Sequence, residues 1–98
     1  MIVKVHSTPN GKMLAICDSD LLGKTIEDDE RRLDLSANFY KGESRTEEEI
    51  TDLLEDAYVV NAVGEKSVAL LVKKRLVEKD CIMSISGVPY AQCVVERG

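Results

Sequence analysis

Tyr58-Val59-Val60-Asn61-Ala62-Val63-Gly64-Glu65-Lys66-Ser67-Val68-Ala69-Leu70-Leu71-Val72-Lys73-Lys74-Arg75-Leu76-Val77 is the longest nearly apolar passage of the chain. It reads as strand, glycine, helix. Residues 58–63 are β-branched and aromatic enough for a buried strand, Gly64 breaks it, and Val68, Leu71, Val72 and Leu76 then recur at helical spacing. A helix with that stripe has to lie against a sheet. Each of the four side chains contributes on the order of 1.5 to 3 kcal/mol when fully buried, which makes this unit the expected centre of the fold.

Working toward the N-terminus, the next helix start is Ser44-Arg45-Thr46-Glu47-Glu48-Glu49, where Thr-x-x-Glu forms a capping box and the acids complement the positive end of the helix they open. Ile50, Leu53, Leu54 and Ala57 follow at i, i+3, i+4 and i+7, leaving Asp52, Glu55 and Asp56 to water. Earlier still, residues 2–6 and 12–17 predict two strands joined by the Thr8-Pro9-Asn10-Gly11 turn, with His6 on the more polar face. Asp18 is placed as the N-cap of one helical turn ending at Gly23. Glu27-Asp28-Asp29-Glu30 reads as a solvated loop without the spacing of a calcium loop. Leu33 and Leu35 predict a third strand, after which one of Phe39 and Tyr40 enters the core and the other faces solvent.

Toward the C-terminus, residues 81–85 and 90–96 predict a second hairpin across Ser86-Gly87-Val88-Pro89. The expected architecture is therefore a single α+β domain over residues 1–98. It is a two-layer α/β sandwich in which two main helices cover one face of a mixed, mostly antiparallel sheet.

Composition narrows the function classes. The 98 residues are 44% hydrophobic and 32% charged, enough for one modest core. No window approaches the ~20 apolar residues of a membrane span, and the alternating start at Met1 lacks a signal-peptide core, which points to the cytoplasm. Cys17, Cys81 and Cys93 match neither a disulfide framework nor a zinc spacing and are expected as buried thiols, with no metal or other cofactor implied. Charge is unevenly distributed. Residues 27–56 carry twelve acids against four bases, and residues 66–79 five bases against one acid, within a net charge of -5. An electrically polar molecule with its cationic end on the central helix follows.

Four short signatures occur in order: Leu21-Leu22-Gly23-Lys24-Thr25, Phe39-Tyr40-Lys41-Gly42-Glu43, Asn61-Ala62-Val63-Gly64 and Gly87-Val88-Pro89-Tyr90-Ala91-Gln92. Together they make the chain resemble the archaeal family catalogued as domain of unknown function four-two-four. The resemblance implies a small two-layer α/β sandwich of archaeal origin with no established activity. It also suggests an involvement in translation or RNA biology. Where that family often has His, this chain has Tyr90, which removes the imidazole that a proton-transfer step there would use.

Lys24, Tyr40, Lys41, Asn61, Tyr90 and Gln92 would, on convergence, grip an anion, a phosphate backbone or an unstacked base. The start Gly64-Glu65-Lys66-Ser67 could offer free N–H groups to an anion. The only imidazole is His6 and no cysteine has an adjacent basic activator, so the residues point away from an enzyme. Two readings follow. In the first, an RNA-associated or translation-associated accessory domain holds phosphates with Lys66, Lys73, Lys74, Arg75 and Lys79. In the second, the acidic helix of residues 46–57 docks a basic partner such as a ribosomal protein or translation factor.

Overall fold

The computed structural model describes residues 1–95. Strand β1 (Ile2–Thr8) turns through Pro9 and Asn10 into β2 (Gly11–Cys17). A short hairpin, β3 (Thr25–Glu27) and β4 (Arg32–Asp34), follows, then the two-residue β5 (Glu43–Ser44) and helix α1 (Glu47–Leu54). Next come β6 (Ala57–Val63), helix α2 (Glu65–Lys73) and the hairpin β7 (Met83–Ile85) and β8 (Val88–Val94). Six strands form one sheet in the order β5-β1-β2-β6-β8-β7, in which only β2 and β6 run parallel. This is the α+β, mostly antiparallel sandwich that the hydrophobic periodicities predict. No helix among the described residues is long and apolar enough to cross a membrane.

The core lies where the two periodicities meet. Leu14 and Ile16 of β2 and Val60 and Ala62 of β6 pack with Ile50 and Leu54 of α1 and Val68 and Leu71 of α2, so both helices cover one face. The opposite face carries a lighter layer. Leu35 is fully buried there with Cys17 and Val63, and Leu33, Ile26, Tyr40 and Tyr90 pack around them, partly buried.

Several local expectations are corrected. Leu33 belongs to a separate two-stranded sheet with residues 25–27, because Asp28 accepts from the backbone N–H groups of Glu30 and Arg31 and folds the acidic run into a tight turn. Phe39 and Tyr40 do not point to opposite sides. They lie in a 3-10 turn (Asn38–Tyr40), both half-buried, with rings edge to face at 5.0 Å. His6 is half-buried as well, its ring stacked on Phe39 at 4.6 Å and Nε2–H donating to the Phe39 carbonyl at 3.0 Å.

Helix α2 stops at Lys73, short of Leu76. Arg75 takes a positive φ of 60°, its N–H reaches the Val72 carbonyl, and the Leu76 N–H reaches the Leu71 carbonyl, a Schellman ending that turns Leu76 and Val77 back onto the core. Cys81 is exposed because residues 79–81 form a 3-10 turn rather than the start of a strand. The expected strand end at Glu96 lies outside the described residues.

Candidate functional site

Helix α1 starts where the capping box requires. Thr46 Oγ1 accepts from the Glu49 N–H at 3.1 Å, and Glu49 Oε1 accepts from the Thr46 N–H at 3.0 Å. That bond is the main reason the Glu49 carboxyl sits below the ordinary carboxylate range. With Ile50 and Leu54 turned inward, Glu48, Asp52, Glu55 and Asp56 are left exposed.

Between α1 and β1 runs a groove of about 600 Å³. Val3, Val5, Leu14 and Leu53 supply its apolar surface. Both acids and bases line it. Arg45 is already held by Glu43 and by Glu49, the latter at 3.3 Å. Asp52 and Asp56 form no ion pair among the described residues, nor do Lys4, Lys12 and Lys41.

The basic residues proposed for phosphate contact are all exposed. Lys66 is in the first turn of α2 and Lys73 is its last residue, seven positions or ~10 Å along the axis. The Lys73 ammonium is bound to Glu47 at 2.7 Å, and this bond, before the Coulomb attraction, lowers the Glu47 pKa. Lys74 borders the same α1–α2 cleft beside Glu47, Glu48 and Asp52. Arg75 follows in the Schellman turn and Lys79 in the next 3-10 turn. Lys73 and Lys74, two of these five bases, therefore stand beside the acids of α1.

The glycine-marked residues also divide. Tyr40 and Tyr90 share the far-face apolar cluster, where burial raises the Tyr40 pKa. Asn61 and Gln92 are direct cross-strand partners on that same face, two residues from the Val63–Tyr90 pair. Asn61 Nδ2 approaches Met13 Sδ at 3.5 Å, and the Tyr90 hydroxyl accepts from Arg31 at 3.1 Å. Lys24 is exposed at the base of the β3–β4 hairpin, its carbonyl bonded to the Leu35 N–H. Lys41 stands on the rim of the groove beside α1. Tyr40, Asn61, Tyr90 and Gln92 thus belong to one face, without Lys41.

The start of α2 is filled from within the chain. Asp18 does not cap its own turn; its carboxylate accepts from the Lys66 N–H at 3.1 Å and from both N–H and Oγ–H of Ser67 at 2.8 Å. Gly64 makes room for it at φ 109°, since a Cβ there would lie 2.3 Å from Asp18 Cγ. The anion at this helix start is the protein's own. A cap 48 residues away in sequence leaves no local signal, apart from the acid directly after a strand.

Burial, with the Asp18 charge adding to it, pushes the Cys17 thiol up to about 11, and the single imidazole is committed to the Phe39 carbonyl. Fold and site together define a small α+β protein with an open groove between helix α1 and strand β1. The chain belongs to the family described as "Protein of unknown function (DUF424)", which matches residues 5–95. It is also similar to the crystal structure of an uncharacterized conserved protein from Methanopyrus kandleri. That match has a TM-score of 0.80 and 29% identity, covering 99% of this chain and 93% of the other. No curated protein matches it.

Proposed function

We propose that this protein is a non-enzymatic interaction module that docks a basic segment of a partner protein along α1. The observation that carries this reading is a pair of carboxylates, Asp52 and Asp56, set at the edge of an apolar groove. Asp52 on α1 and Asp56 just after it form no ion pair among the described residues, whereas Lys73 on α2 is bound to Glu47. Unpaired carboxylates beside an apolar floor favour a cationic partner and speed its encounter. A phosphate backbone needs clustered cations, and Lys73 and Lys74 share their cleft with Glu47, Glu48 and Asp52.

The test is retention on the immobilised protein from a native extract with and without nuclease, followed by two charge-reversed variants. A protein retained after nuclease, lost with Glu48→Lys plus Asp52→Lys and kept with Lys73→Glu plus Lys74→Glu, is the expected outcome. Retention of RNA that disappears with nuclease, or with the lysine variants, favours instead the accessory role in RNA or translation biology and overturns the reading.

A further inference from the structure

We infer that the docked segment is taken up as an added β-strand on the outer edge of β1, over residues 4–8. This inference rests on the reading above and specifies the form in which the partner binds. Strand β5 occupies that edge only at Ile2–Ser44 and Val3–Glu43, whereas β1 continues to Thr8 with no strand on that side among the described residues. The edge is oriented for pairing. A Cβ on Gly42 would lie 1.8 Å from the Val3 carbonyl oxygen, so that carbonyl points outward. By the two-residue period of a strand, the N–H and C=O groups of Val5 and Ser7 point outward too.

Side-chain chemistry selects the guest. An added strand sends alternate residues into the groove, where Val5, 40% exposed, and Leu53 await apolar cover. Lysine or arginine stems can provide it while their charged ends reach Asp52 and Asp56. Lys12, opposite Ser7, and Lys41, next to Gly42 at Val3, stand at the two ends of the open stretch and confine the positive charge to the middle. The occupant is thus an extended segment of another protein, with one or two central bases on groove-facing positions and neutral residues between them.

The probe is a fluorescent heptapeptide, Thr-Val-Thr-Arg-Thr-Val-Thr, measured by anisotropy beside two versions N-methylated at alternate amides. Strand addition uses every second amide of the guest, so one methylated version should lose at least about tenfold in affinity while the other binds like the parent. Val5→Pro should cause a similar loss with its melting temperature nearly unchanged, because proline is tolerated where the N–H faces outward on an edge. Equal binding of all three peptides, weakened by Asp52→Lys with Asp56→Lys, overturns the strand but keeps the basic docking. No binding of the parent peptide, together with no nuclease-resistant partner, removes both. A dimer that Val5→Pro converts to monomer makes a second copy the occupant and also overturns the proposal.

Discussion

The two faces of the sheet are closed by different means. On one, periodic helices supply whole stripes, and Leu14, Ile16, Ile50, Val60 and Leu71 are fully buried. On the other, a short hairpin and two single turns cover a smaller buried cluster of Cys17, Leu35 and Val63, around which Ile2, Ile26, Leu33, Tyr40 and Tyr90 stay partly exposed. Polar contacts anchor this lighter layer: Ser86 Oγ donates to the Glu27 carbonyl at 2.7 Å, and Arg31 reaches Tyr90. Periodic apolar burial therefore carries the stability, and specific hydrogen bonds fix the position of the rest.

The largest effect should separate the faces directly. Leu71→Ala opens a cavity walled by two helices and the sheet, so a loss of about 3 to 4 kcal/mol is expected in denaturant unfolding. Leu35→Ala, equally buried but under a thin layer that can collapse, should lose about 2 kcal/mol. Equal losses would mean that the hairpin layer is as firmly packed as the helices.

Asp18 joins the two faces, because its chain leaves the buried end of β2 for the hairpin layer while its carboxylate holds the start of α2. Asp18→Ala strands the Ser67 N–H and hydroxyl in a site where Ser67 is fully buried. A loss of about 2 to 3 kcal/mol should follow. Asp18→Asn keeps one acceptor and should lose about 1 kcal/mol. If the two variants melt together, the hydrogen bonds are not what Asp18 provides.

What could be read from the chain divides along the same line. Thr46-x-x-Glu49, the stripe from Ile50 to Leu54, and the strand and stripe around Gly64 are short-range patterns, and each produced an element of the expected kind, although α1 ends at Leu54 with Ala57 opening β6, and α2 ends at Lys73. Asp18, Arg31 and Ser86 find partners 48 to 59 residues away, and no local pattern encodes a contact at that separation. The same holds for charge. The basic run from Lys66 to Lys79 is legible in the sequence, but the pairing of Lys73 with Glu47 depends on α1 packing beside α2. Likewise Asn61 and Gln92 could be marked as candidates, while their separation from Lys41 required the sheet order.

Within the helical face, Arg75 carries strain that the sequence leaves in place. A non-glycine residue in the left-handed region costs about 1 kcal/mol or more, and the Schellman turn needs that conformation. Arg75→Gly should therefore stabilise by about 1 kcal/mol, visible as a melting point several degrees higher in a domain of this size. No gain would show that the Arg75 side chain offsets the strain.

The smallest effect sharpens the comparison most locally. Asp28 accepts from the Glu30 and Arg31 N–H groups and Asp34 from the Ser36 hydroxyl and N–H, and these bonds hold both carboxyls below the ordinary range. Because their folded pKa values are depressed, their contribution is present above the unfolded carboxylate pKa, about 4, and is lost as pH falls through the lower folded values. Both belong to the hairpin layer, and both are exposed enough to leave global stability nearly untouched. Hydrogen exchange, corrected for intrinsic rate, should accelerate several-fold for the Gly23 and Leu35 amides as pH drops from about 5 to 3, while β6 and α2 stay protected. If β6 amides accelerate in parallel, the hairpin opens only with the whole molecule, and the lighter face belongs to the same cooperative unit as the helices.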